Sequence, residues 1–104
     1  MSNVTDNTFG EVLASNRVCV IDFSATWCGP CKRLTPMIEE LSETYSGKVF
    51  IGKIDIEENP ETTEMFDIMS VPTILFFKDG KLQEEKIVGL PNKQFLEDKI
   101  KELI

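Results

Sequence analysis

The spacing of apolar residues along this chain changes several times, and each change marks an element. Val18 to Phe23, VCVIDF, is a nearly unbroken apolar run rich in β-branched residues, which predicts a strand covered on both faces. From Pro30 onward the apolar positions are Leu34, Met37, Ile38, Leu41 and Tyr45, steps of three and four that predict a helix with one buried stripe. Pro36 lies inside it and is expected to kink it. KVFIGKIDI, Lys48 to Ile56, reads as a second strand, and TILFF, Thr73 to Phe77, as a third that is again wholly buried. Lys78-Asp79-Gly80-Lys81 carries the Asp-Gly hairpin signal and leads into a shorter returning strand, Gln83 to Val88.

Helix starts are equally legible. Thr8-Phe9-Gly10-Glu11 has capping-box spacing and predicts a short helix through Ala14. Asn59-Pro60 reads as a cap followed by proline at the first helical position. Asn92 caps a last helix whose apolar face is Leu96, Ile100 and Leu103. The element order is β-α-β-α-β-α-β-β-α, with a parallel first half joined by a crossover helix and an antiparallel hairpin at the end. The expected architecture is an α/β domain over residues 1–104, its mixed five-stranded sheet flanked by four helices.

Composition narrows the function. The chain has 104 residues, which favours one domain, with 41% apolar and 28% charged residues, as in ordinary globular proteins. Eighteen acidic against eleven basic residues give a net charge of −7, which argues against a nucleic-acid backbone or an anionic membrane as partner. The opening MSNVTDNTFGEV has neither the basic nor the apolar region of a secretory signal, and no apolar run approaches membrane-spanning length. The expectation is a soluble, cytoplasmic protein. Thiols stay reduced there, so its cysteines are expected to be catalytic, metal-binding or inert.

Cys28-Gly29-Pro30-Cys31 sits where a strand ends and a helix begins. A helix N-terminus presents unpaired N–H groups and partial positive charge, so a thiolate at Cys28 is stabilised. Cys31 stands one turn on, with Cβ atoms roughly 5–6 Å apart for that spacing. A disulfide wants them nearer to about 4 Å, so the pair can open and close with modest movement. Zinc needs about four ligands, and the chain has no histidine and no second close cysteine pair. A structural disulfide closing so short a loop would stabilise little. The remaining reading is thiol–disulfide exchange, with Cys28 as the exposed attacker and Cys31 as the resolving thiol.

WCGPCK after an apolar run and before a proline-containing helix resembles the thioredoxin family. The resemblance extends along the chain through VIDF, KIDIEEN, VPTILFFKDGK and Gly89, in order and spacing. It implies the thioredoxin fold and a protein-disulfide reductase and electron carrier with no bound cofactor. Its partners would be disulfide-containing client proteins and a thioredoxin reductase, fed either by NADPH through a flavoprotein or by ferredoxin. The chain is expected to be a monomer, with a dimer through the active-site surface as the alternative.

The remaining site residues follow from this resemblance together with their own chemistry. Asp22 interrupts the buried strand, and a buried carboxylate is costly, with a raised pKa. The alternative is a twist that brings it to solvent. The resemblance places it behind Cys31 as the base, acting directly or through one water. Lys53 matches the family's lysine near that acid and is assigned to redox tuning with Gly29 and Pro30; its alternative is an ordinary strand-surface lysine. Pro72 corresponds to a cis-proline facing the dithiol, and the backbone of Val71 before it would pair with an extended client segment. Trp27 and Gly89 complete the client-binding set, with packing and a plain turn as their respective alternatives. Cys19 reads as a buried small hydrophobe rather than a regulatory thiol. Phe23, Phe50, Phe76 and Phe77 read as core, and the acidic stretch from Glu57 to Glu64 as a solvated face.

Ser24 stands where many family members carry a second tryptophan. The oxidising and isomerising relatives carry a histidine between their cysteines, whereas this chain has Gly29-Pro30. That favours a reductant over an oxidase or isomerase. A purely structural binding module is the rival from outside redox chemistry.

Overall fold

The computed structural model describes residues 2–104. In chain order the elements are β1 (Ser2–Val4), α1 (Phe9–Ser15), β2 (Val18–Ser24), α2 (Gly29–Thr44), β3 (Phe50–Asp55), α3 (Pro60–Met65), β4 (Thr73–Lys78), β5 (Lys81–Val88) and α4 (Lys93–Leu103). They build one sheet in the order β1-β3-β2-β4-β5. β1, β3 and β2 run parallel, while β4 is antiparallel to both β2 and β5. The expected architecture is therefore the observed one.

β2 is the central strand, and all seven of its residues are buried. Side chains alternate across a sheet, so its two faces feed two cores. Val18 and Val20 join Leu34, Ile38 and Leu41 of α2 and Leu96 and Ile100 of α4 on one face. Cys19, Ile21 and Phe23 join Phe9, Leu75 and Phe77 on the other. There Phe66 meets Phe9 and Phe77 edge-on, each at 5.4 Å between ring centroids. The same alternation puts Asp22 on the face that α2 covers.

The hairpin follows its sequence signal. Asp79 at φ 52° and Gly80 at φ 77° both take left-handed backbone, as the two-residue mirror-image turn requires. β5 consequently begins at Lys81, two residues earlier than expected. Asn92 caps α4 as anticipated, its side-chain oxygen accepting the Phe95 N–H at 2.8 Å. β3 is shorter than the predicted Lys48–Ile56 because the Lys48 and Val49 N–H groups both turn back to the Tyr45 carbonyl, at 2.9 and 3.0 Å. α2 continues through Pro36 without interruption in its assignment.

Two predicted caps are replaced by others. Thr8 and Glu11 do not form a capping box, and α1 extends to Ser15 rather than Ala14. Thr8 has near-helical backbone, φ −100° and ψ −11°, whereas a capping side chain needs extended geometry. Its hydroxyl instead accepts the Thr5 N–H at 2.9 Å, while Glu11 accepts from the Ser15 hydroxyl at 2.6 Å. Asn59 precedes α3 but does not cap it. Its side chain accepts the Asp6 N–H and donates to the Asp55 carbonyl, both at 2.9 Å. The cap is Asp6, which accepts the Thr62 N–H at 2.8 Å, the Thr62 hydroxyl at 2.6 Å and the Glu61 N–H at 3.2 Å.

Partial burial pushes the Asp6 carboxyl up, but the Thr62 and Glu61 hydrogen bonds outweigh it and hold the pKa below its ordinary 3.8. A carboxyl depressed on folding stabilises the fold above its unfolded pKa and loses that contribution as pH falls through the folded one. Asp6→Ala should therefore lower the melting temperature near neutral pH, and the gap to wild type should narrow below pH 3.8. Thermal unfolding across that range checks this; a gap independent of pH would show that the cap does not work through its charge.

Candidate active site

α2 starts as soon as β2 and a four-residue loop are complete. Its N-cap residue is Cys28, in extended backbone, with Gly29 and Pro30 in the first turn. Proline is tolerated there because its missing N–H has no intrahelical partner to lose. The Cys28 sulfur accepts the Cys31 N–H at 3.2 Å, doing for this helix what a serine or aspartate oxygen ordinarily does. Cys28 and Cys31 are joined by a disulfide with Cα atoms 5.2 Å apart.

In this oxidised form Cys28 does not stand out in solvent. It is 5% exposed, against 3% for Cys31. The expectation of an exposed attacker is corrected to a sulfur at the bottom of a shallow apolar seat, formed with Ala25, Ile56 and Val71. The sulfur is committed to Cys31, and the Val71 carbonyl oxygen lies 3.8 Å from it. The Val71–Pro72 peptide is cis. Gly89, at φ 89°, donates its N–H to the Pro72 carbonyl at 2.9 Å. Left-handed backbone at that position explains the glycine. Val71, Pro72 and Gly89 thus form one connected rim beside the disulfide. Trp27 projects from the same loop as Cys28 and is 63% exposed.

Asp22, on β2, is completely buried, with neither carboxylate oxygen hydrogen-bonded to any of the described residues. It therefore does not reach solvent through a twist of the strand. Loss of hydration pushes its pKa up to about 7, with the Lys53 charge pulling weakly the other way. Lys53 is the register partner of Asp22 on β3 and shares its face of the sheet. Yet its ammonium reaches the Thr35 hydroxyl, at 3.5 Å, rather than the carboxylate. Thr35 in turn donates to the Cys31 carbonyl at 3.1 Å.

Cys31, Thr35 and Lys53 border a cleft of about 190 Å³ that Ala25, Thr26 and Asp55 also line. Thr35 and Asp55 had no signal in the sequence: a threonine one turn after Cys31 is unremarkable until Lys53 is seen to meet it.

Cys19, the odd thiol, is buried, with its sulfur 3.6 and 3.7 Å from the carbonyls of Asn16 and Val12. Burial pushes its pKa up to about 11. Among the described residues no helix is long and apolar enough to cross a membrane, and no cluster of three or more His, Cys, Asp or Glu side chains could hold a metal ion.

The site and fold agree with what the chain resembles. A family model described as Thioredoxin matches residues 1–102. The thioredoxin of Staphylococcus haemolyticus is 48% identical over 93 residues, covering 89% of this chain and 88% of that protein. That of Rickettsia felis is 47% identical over 104 residues, covering 99% and 98%. Among solved structures, Plasmodium falciparum thioredoxin superposes with a TM-score of 0.90 at 35% identity and full coverage of both chains. A mutant thioredoxin from Halobacterium salinarum gives 0.90 at 34% identity, covering 98% of this chain and 88% of that one.

Two predictions follow from the buried groups. Above pH 3.8 an unfolded aspartate ionises freely, whereas folded Asp22 holds its proton to about pH 7. Stability is therefore lost as pH rises through that window. Asp22→Ala should remove the penalty, leaving the oxidised variant more stable than wild type by an amount growing to on the order of 3–4 kcal/mol. Urea unfolding at several pH values measures it, and a variant equally or less stable throughout would contradict the assignment. In the reduced, folded protein a thiol-specific alkylating agent at neutral pH should leave Cys19 unmodified in peptide mass spectra, with labelling there only after denaturation.

Proposed function

This chain belongs to the thioredoxin family and is a thiol–disulfide oxidoreductase whose redox group is its own cysteine pair, and from that premise we propose roles for its individual residues. The Cys28 thiolate attacks one sulfur of a client disulfide. The client S–S bond breaks, one client sulfur leaves as a thiol, and a Cys28–client mixed disulfide forms. Cys31 then loses its proton to the Asp22 carboxylate, directly or through one water, and attacks the Cys28 sulfur. The second client thiol is released, the Cys28–Cys31 disulfide closes, and two electrons have passed to the client. A reductase returns them.

The observation that carries this reading is the Cys28 sulfur acting as the N-cap of α2, where the Cys31 N–H and the helix dipole favour its anion. Gly29 and Pro30 let the helix begin at that sulfur, and neither adds a charge that would favour the thiolate further. The open backbone of Val71, with Pro72 and Gly89 behind it, offers strand-like pairing to a client, and Trp27 adds apolar contact beside it. Lys53 tunes Asp22. The base assignment is supported by the burial of Asp22 without a partner on the face that α2 covers.

Residues 1–104 act as a single domain and a monomer, since the dithiol, the acid and the client rim all come from one chain. The electron donor is a thioredoxin reductase linked to NADPH or ferredoxin. A reductant of this kind belongs in a reducing compartment, and we assign it to the cytoplasm.

The test is insulin-disulfide reduction with each reductase. Wild type should turn over, Cys28→Ser should be inactive, and Cys31→Ser should accumulate a mixed disulfide at Cys28 visible by non-reducing mass spectrometry. Retained activity in Cys28→Ser would overturn the assignment. In single turnovers, Asp22→Ala should slow client release about 10²-fold near neutral pH and leave mixed-disulfide formation nearly unchanged. Wild-type release should accelerate as pH rises through about 7, where Asp22 ionises. Equal slowing of both steps would remove Asp22 from its role.

A further inference from the structure

Asp22 and Lys53 are opposite charges at matched positions on adjacent parallel strands, on one face of the sheet. In a buried setting they would be expected to pair, since attraction grows as water is excluded. They do not: both Asp22 oxygens lack a hydrogen-bond partner, and the Lys53 ammonium points to Thr35. Thr35 lies four residues after Cys31, on the same face of α2 and directly along it. Its hydroxyl donates to the Cys31 carbonyl at 3.1 Å, which fixes the rotor and turns its acceptor lone pairs toward Lys53 at 3.5 Å.

We propose that Thr35 is a positioning residue whose hydroxyl tethers the Lys53 ammonium to α2 and so keeps it from pairing with the Asp22 carboxylate. The consequence is a base that stays unpaired. A carboxylate locked to an ammonium is a poor proton acceptor, because the pair stabilises its ionised form. With Lys53 held at Thr35, its charge still acts across the gap but forms no direct bond. The charged and titratable groups gathered here are Cys31 and Lys32 from α2 and Lys53 and Asp55 from β3. β4 faces Asp22 with Ile74 and brings no charge. Asp22, the register partner of Lys53, has buried oxygens with no hydrogen-bond partner among the described residues, so a released ammonium moves to them.

This inference rests on Asp22 being the base for Cys31, and its test separates the two. Carboxyl-carbon NMR titration of Asp22 is done on the oxidised full chain, where neither Cys28 nor Cys31 titrates. Thr35→Val keeps the side-chain shape and removes the hydroxyl; its Asp22 midpoint should move down by about one pH unit or more, the effect of a close opposite charge. Thr35→Ser should restore the wild-type midpoint. In a Lys53→Met background, Thr35→Val should leave the midpoint where Lys53→Met alone puts it. A midpoint that stays or rises in Thr35→Val, or that falls equally without Lys53, would overturn the proposal. Release kinetics of the reduced variants then address the other reading. If the midpoint moves in the titration and the pH profile of client release moves with it, both stand. If the titration moves and the profile does not, Thr35 holds Lys53 as proposed and Asp22 is not the base.

Discussion

A sulfur atom caps helix α2, and the chemistry of this protein depends on that single contact. Helices leave their first N–H groups without internal partners, and an oxygen-bearing side chain usually takes one of them. Here the Cys28 sulfur takes the Cys31 N–H. The same bond that starts the helix therefore stabilises negative charge on the sulfur, and it brings the second cysteine within bonding reach. Shifting the helix start by one residue would lose all of this together. Its position is held by β2, whose seven buried residues leave the strand no freedom to slide and whose end is followed by only four residues before α2.

β2 also explains the acid. Five of its residues join the two cores, whereas Asp22 and Ser24 are buried polar residues outside both. The burial of Asp22 without a partner opposes folding at any pH where it must ionise, and the fold tolerates it because the remaining strand is so fully packed. The cost has a local geometry. Val20, one step along the same face, sits in a continuous apolar core with Leu34 and Ile38, whereas Asp22 lies toward the end of the strand where the cleft beside Cys31 opens. A carboxyl group there is dry enough to keep its proton to about pH 7.

Which features could be read from the sequence follows from the range of the interactions that make them. The burial of β2, the Asp79-Gly80 turn and the Asn92 cap depend on neighbours a few residues away, and the residue types there leave little choice. The cysteine pair is likewise local, since one helical turn fixes its spacing. The capping of α3 is not. Asn59 has the right type in the right place, but Asp6, more than fifty residues earlier, occupies the helix end. Thr8 and Glu11 fail for a local reason: the near-helical backbone of Thr8 does not suit a cap, and Thr5 and Ser15 take their side chains instead. The depth of Cys28 was also illegible, because its cover comes from Val71, forty-three residues on. Thr35 needed knowledge of where Lys53 reaches across from β3.

Two groups of residues meet the disulfide, and the proposed reaction gives them different work. The rim of Val71, Pro72 and Gly89 presents backbone beside the Cys28 sulfur, where that reaction seats a client chain. The cleft with Thr35, Lys53 and Asp55 reaches Cys31. In that reaction a client seated on the rim excludes water from Cys28, which strengthens the hold of the α2 N-terminus on the attacking thiolate. If the proton of Cys31 had to leave by that same route, the client would block the step that releases it. An exit through the cleft at Cys31 would remove the conflict. On the proposed roles it also accounts for a charged lysine kept near a buried acid without pairing with it: the acid stays free to take the Cys31 proton while the client covers the sulfurs.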